Sequence, residues 1–194
     1  MFKKILVAAL MVASFSFAQL NFGAHAALNM SNFWGDDVNE PEMGVGFSAG
    51  LGMKLSFPLL PITLAPEVLI DMRNVDAGND VTITEWALDI PVLVRLSLLP
   101  ILYLEAGPVV ALNLSSTAEA DGVEVDLDKL GIETNTLELG VAFGIGTGIV
   151  PFVDIDFRVN LGLTSWAGVD SGLNSTEDMD MQTLQFALGA TYWF

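Results

Sequence analysis

Asp154, Asp156 and Arg158 stand two residues apart in FVDIDFRVNLGLT, so in an extended strand all three leave the same face. Two carboxylates at that spacing could act as general acid and base. The arginine beside them makes a structural ion-pair network the simpler account. His25 is the single imidazole, cysteine is absent, and His25 has no evident serine partner. Nucleophilic catalysis of the Ser-His or Cys-His kind therefore finds no constellation. The glycines of FGIGTGIV fall within a strand pattern and open no helix, so they do not form a dinucleotide cradle. The chain is expected not to be an enzyme and to carry no cofactor.

A second candidate chemistry is cation binding. DGVEVDLD (121–128) presents Asp121, Glu124, Asp126 and Asp128, and hard cations want several convergent oxygens. The segment departs from an EF-hand loop, which needs Gly at its sixth position and Glu at its twelfth. The competing account is a solvated negative surface that holds loops apart.

The remaining ionisable residues follow a rule that points to the elements positioning them. Apolar residues alternate with small or polar ones over 19–29, 43–57, 62–73, 82–98, 101–114, 136–149, 152–165 and 182–194, which predicts eight strands. Within them lie Lys54, Glu67, Asp71, Arg73, Glu85, Asp89, Arg95, Glu105, Glu138, Asp154, Asp156 and Arg158. Every one falls on the parity opposite the aliphatic face, as does His25. A charge facing lipid at the midplane of a membrane costs about 2–4 kcal/mol, so a membrane-spanning barrel would enforce this segregation. The interior parity is otherwise small, with Gly44, Gly46, Gly50 and Gly52 in one strand and Gly140, Gly144, Gly146 and Gly148 in another. Inside a narrow barrel such glycines leave room for long side chains opposite.

The connections sort into two kinds. Pro58-Leu59-Leu60-Pro61, Leu99-Pro100 and Val150-Pro151 make three short turns. The alternate connections, 31–42, 74–81, 115–135 and 166–181, are long, polar and acidic. Short periplasmic turns and long outer loops are the transmembrane-barrel arrangement. Trp86 and Trp166 on the loop side, and Phe152, Tyr192 and Trp193 on the turn side, are expected to form aromatic girdles at the two interfaces.

Composition agrees. The chain is 52% hydrophobic, with net charge −17. Its first eighteen residues, MFKKILVAALMVASFSFA, have the charged start, short apolar run and small-x-small end of a cleaved secretory signal. The expected organisation is a signal peptide at 1–18 and one barrel domain at 19–194. Five Lys or Arg follow residue 18, too few for a nucleic-acid patch.

Two resemblances add to this. The closing QTLQFALGATYWF, ending on Phe194, is similar to the last strand of bacterial outer-membrane barrels. This implies that Phe194 serves as an assembly signal for the barrel-assembly machinery. NFGAHAALNMS, EWALDIPVLVRLSL, YLEAGPVVALNL and FVDIDFRVNLGLT resemble segments of the PorT-like group of outer-membrane β-barrel proteins, and the size resembles small OmpA-like barrels. The PorT-like resemblance implies the fold and the outer membrane; the secretion role attached to that name is not carried over.

The expected fold is all-β: an eight-stranded antiparallel up-and-down transmembrane barrel in the outer membrane. The expected role is structural, envelope-supporting or surface-interacting. Arg95 and Arg158 are expected to anchor a lumen network with Lys54, Glu67, Asp89, Glu105, Glu138, Asp154 and Asp156. The expected partners are outer-membrane lipid and lipopolysaccharide, divalent cations or a surface partner at the loops, and no nucleic acid. The alternatives are a small pore or transport accessory, and a soluble periplasmic lipocalin-like barrel with its faces reversed.

Overall fold

In lipid every backbone N–H and C=O must find a partner within the protein, and a sheet does so only when it closes. The computed structural model of the protein describes residues 19–34, 42–57, 60–76, 81–120, 123–126, 132–134, 136–150, 152–164, 167–170, 176–178 and 182–194. Its strands in chain order are β1 (Gln19–Trp34), β2 (Glu42–Ser56), β3 (Ile62–Asp76), β4 (Val81–Leu99), β5 (Leu102–Ala120), β6 (Val123–Asp126), β7 (Ile132–Thr134), β8 (Leu137–Val150), β9 (Val153–Gly162), β10 (Ala167–Asp170), β11 (Thr176–Asp178) and β12 (Gln182–Trp193). The eight long ones form an antiparallel wall in the order β4-β3-β2-β1-β12-β9-β8-β5, and β4 pairs with β5 to close it. First and last strands meet along their length, from Gly23↔Trp193 to Trp34↔Gln182. The eight-stranded up-and-down barrel is as the alternation predicts.

The strands differ from the periodicity at their loop ends. β1 runs to Trp34 and β5 to Ala120, five and six residues past the predicted limits. The apolar pattern stops where lipid stops, whereas ladder hydrogen bonds continue into water. Short strands also occupy segments expected to be loops. β6 folds back on β5, and β7, β10 and β11 make a small separate sheet. Residues 1–18, read as a signal peptide, lie outside the described residues.

Three prolines sit inside wall strands: Pro66 opposite Val92, Pro91 opposite Val109 and Pro108 opposite Val141. Proline cannot donate to a ladder. Pairing accordingly skips from Pro66↔Val92 to Leu69↔Asp89, and from Pro91↔Val109 to Val94↔Ala106.

The outer surface is an apolar belt. Leu28, Val45, Leu51, Leu139, Phe143, Phe157 and Leu188 all point outward and are exposed. A soluble lipocalin-like barrel would carry its aliphatics inside; here the faces run the other way. The buried apolar interior is small, with Ala65, Leu93, Val109 and Ala142 forming one cluster.

Candidate functional site in the barrel lumen

The single-parity rule for charges places all of them in the lumen. Glu67, Asp71, Arg73, Glu85, Asp89, Arg95, Glu105, Glu138, Asp156 and Arg158 are buried. Lys54 and Asp154 face inward near the turn-side mouth, with side chains 24% and 14% exposed. These groups form two tiers.

The turn-side tier is built on Arg95 and Arg158. Arg158 grips Glu67 through Nη1 to Oε2 at 2.6 Å and Nη2 to Oε1 at 2.9 Å. Its Nε donates to Glu105 Oε1 at 2.6 Å, and Arg95 Nε donates to Glu105 Oε2 at 2.9 Å. Arg95 also reaches Glu67 at 3.4 Å and Asp154 at 3.1 Å. Two arginines thus share two glutamates, each acid bridging both bases. Asp154 Oδ2 further accepts from Trp193 Nε1 at 2.7 Å and lies 3.6 Å from Lys54 Nζ. Asp156 sits 2.9 Å from Arg158 Nε, but that N–H is aimed at Glu105, and neither Asp156 oxygen has a hydrogen bond. Two glycines make the crowding feasible: a Cβ at Gly144 would meet the Glu105 side chain, and one at Gly146 would collide with the Tyr103 phenol.

The loop-side tier has one cation. Arg73 Nε donates to Asp71 at 2.7 Å, Nη1 to Glu85 at 3.2 Å and Glu138 at 3.0 Å, and Nη2 to both oxygens of Asp89 at 2.8 Å. The five N–H groups of one guanidinium are all used. Neutral donors complete the set: Asn29 Nδ2 to Asp71 Oδ1 at 2.7 Å, Gln185 Nε2 to Asp71 Oδ2 at 2.8 Å, and Thr183 Oγ1 to Glu138.

An apolar waist lies between the tiers. Along β3, Leu69 separates Glu67 from Asp71; along β1, Ala27 separates His25 from Asn29. Val109, Ala142 and Ala187 occupy the matching inward positions of β5, β8 and β12, and all five are buried. The ion pairs of one tier share no residue with those of the other.

The structure therefore corrects the predicted single network. Glu67, Glu105, Asp154 and Asp156 do gather around Arg95 and Arg158, with Lys54 beside Asp154. Asp89 and Glu138 instead belong to Arg73, because the strand offset around the barrel lifts them to its level. Arg73, Asp71 and Glu85 were outside the predicted network, although their parity had already placed them in the lumen.

Trp193 is a second correction. Its ring is 3% exposed, faces the lumen and stacks under Lys54 Nζ at 4.2 Å, so it is not part of a lipid-facing girdle. Its odd parity in the last strand dictates this. Tyr192 and Phe152 do face outward, 56% and 70% exposed. Phe152 takes a left-handed backbone, φ 65°, in the β8–β9 turn. Trp86 meets Phe47 edge-on at 5.9 Å on the outer wall. Trp166 lies outside the described residues. Phe194 is exposed, and its N–H donates to Phe22 O at 2.9 Å.

Of the cation candidates, Glu124 and Asp126 fall in β6, opposite Glu119 and Thr117, while Asp121 and Asp128 lie outside the described residues. Among the described residues no group of three carboxylates or imidazoles is arranged to hold a metal. His25 is buried, with Nδ1 2.9 Å from Thr191 Oγ1.

Residues 15–168 match the model of a family described as outer membrane protein beta-barrel domain. No curated protein matches. Among solved structures, Neisserial surface protein A aligns with TM-score 0.58 at 13% identity, over 89% of this chain and 97% of that one. Ail, the attachment invasion locus protein of Yersinia pestis, in complex with the heparin analogue sucrose octasulfate, aligns with TM-score 0.51 at 13% identity, over 91% of this chain and 99% of that one. At such identity the likeness is one of fold.

Proposed function

Because the chain belongs to the outer membrane protein beta-barrel domain family, we propose that it is a closed structural barrel of the outer membrane whose work is done at its acidic outer loops. The observation that carries this is the two-tier filling of the lumen. An eight-stranded barrel is just wide enough to be filled by side chains. Here Arg73, Arg95 and Arg158 are all buried and all bonded to carboxylates. Single-channel recording in planar bilayers tests the plug. The expected trace is silent at neutral pH; steady cation-selective conductance would replace this reading with the small-pore one. His25 and every lumen carboxylate but Asp154, which is 14% exposed at the turn-side mouth, are closed to a substrate, which supports a non-enzymatic role.

The family and fold place the chain in the outer membrane. Export through removal of residues 1–18 is part of the proposal, and the mass of the purified mature protein tests it. PorT-like kinship is proposed on the four strand segments alone, without a secretion role.

The loops set the class of partner. Sixteen acids, among them Asp36, Asp37, Glu119, Asp121, Glu124, Asp126 and Asp170, face one lysine, Lys129, in the segments 31–42, 74–81, 115–135 and 166–181. This surface favours cations, cation-bridged lipopolysaccharide phosphates or a basic surface partner, not a polysulfated ligand of the kind bound to Ail. Calorimetric titration with calcium is expected to give saturable heat in the millimolar range; no heat there removes the divalent-cation reading.

A further inference from the structure

Asp156 stands apart from the other acids of the turn-side tier. It is 1% exposed, and neither of its oxygens accepts a hydrogen bond. Glu67 accepts from Arg158 and Arg95, Glu105 from the same two arginines, and Asp154 from Arg95 and Trp193. Arg158 lies 2.9 Å from Asp156, but its Nε–H is aimed at Glu105 and both its Nη groups hold Glu67. An ionised carboxylate only accepts hydrogen bonds, and burial without a donor strongly disfavours it.

The ladder shows what surrounds this side chain. Its partners on both neighbouring strands are glycines, Gly146 on β8 and Gly189 on β12. Over Gly146 lies the Tyr103 phenol from β5, whose hydroxyl has no partner either. Over Gly189 lies the His25 ring from β1. A Cβ at Gly189 would stand 3.0 Å from His25 Nε2 and 3.0 Å from Asp156 Oδ2, so the two side chains share that space. His25 Nδ1 is engaged with Thr191 Oγ1 at 2.9 Å, which leaves Nε2 for Asp156.

The charges of the tier point the same way. Among the described residues, Lys54 of β2, Arg95 of β4 and Arg158 of β9 face Glu67 of β3, Glu105 of β5, and Asp154 and Asp156 of β9. β8 brings only glycines to this level, and β12 brings Thr191 and Trp193. Three cations against four acids leave one negative charge over, and a buried group in that position neutralises itself. We propose that Asp156 holds a proton in the folded barrel at neutral pH, as a carboxylic acid turned toward His25 Nε2, and that this proton completes the charge balance of the tier. A neutral acid both donates and accepts, which suits a site between an imidazole nitrogen and a phenol. The consequence is a pH-sensitive latch: alkali that removes the proton leaves an unmatched carboxylate beside Arg158 and weakens the turn-side half of the plug.

The test uses the full mature barrel folded in detergent micelles. In chain labelled with carbon-13 and nitrogen-15, Asp156 Cγ is assigned through its own backbone, without a variant. Its resonance is expected at the carboxylic-acid position between about pH 6 and 7, where a free aspartate is ionised, and the His25 ring nitrogens are expected to show the neutral pattern. A carboxylate position for Asp156, or an imidazolium pattern for His25, overturns the proposal. Linkage supplies a second readout. Unfolding releases the retained proton over this range, so rising pH favours the unfolded chain. The unfolding constant of the natural chain, divided by that of Asp156→Asn, is expected to rise about tenfold over that pH unit, because the amide has no proton to lose. A purely structural Asp156 would give a ratio that does not change with pH, and that result also overturns the proposal.

Discussion

Arg73 is the residue on which most depends, because four buried carboxylates converge on one guanidinium. Removing one partner of a buried pair costs about 3–5 kcal/mol, since the charge left behind is desolvated and unmatched. Arg73→Met is therefore expected to lower urea unfolding stability by at least that much. In the turn-side tier, Arg158→Met alone should be costly, and Arg158→Met with Glu67→Leu much less so. A loss in the double variant equal to the sum of the two single losses would show that the pair is not coupled. The sequence made part of this legible. Parity alone assigned every charge to the lumen; Trp193 shares that parity, yet its aromatic character and place at the strand end led to the girdle expectation that the structure corrects. Which acid meets which arginine was not legible, because that depends on the strand offset around the barrel, a property of the whole ladder and not of any one strand.

At the scale of the strand, the apolar faces were written plainly in the alternation and the ends were not. Val45, Phe47, Leu51 and Met53 mark where β2 meets lipid, while the ladder continues wherever hydrogen bonds can be made, as Ser115 and Ser116 of β5 do opposite Trp86 and Glu85. Leu28, 68% exposed in the middle of β1, tests the outward face. Leu28→Arg is expected to cost about 2–4 kcal/mol in unfolding from lipid vesicles and little in a detergent that wets the arginine. No difference between the two would argue against a lipid-facing β1. The closing strand makes a separate prediction. If Phe194 is an assembly signal, its deletion should sharply reduce the heat-modifiable form in cells while leaving refolding of purified chain in detergent nearly intact. Loss of both would assign Phe194 to stability instead.

Across the whole molecule the charge is divided by place. The wall gathers its ions into two clusters around three arginines, and the surplus that makes the chain −17 lies chiefly in the polar loop segments. A closed wall has no free edge, so β-strand addition, the common route to partners and to aggregates, is unavailable within the barrel. The contacts proposed for this protein therefore fall to its acidic loop segments. The short β6 hairpin and the β7-β10-β11 sheet give part of the loop region strand structure of its own, which no periodicity in those polar segments announced.

The waist of Leu69, Ala27, Val109, Ala142 and Ala187 has a further consequence. It interrupts the bonded network between the two tiers. Below it three cations face four acids, and above it one cation faces four, so the lumen is two unequal electrostatic chambers. A substitution among the residues above it breaks no ion pair below, so each end of this small barrel keeps its own bonded partners when the other changes.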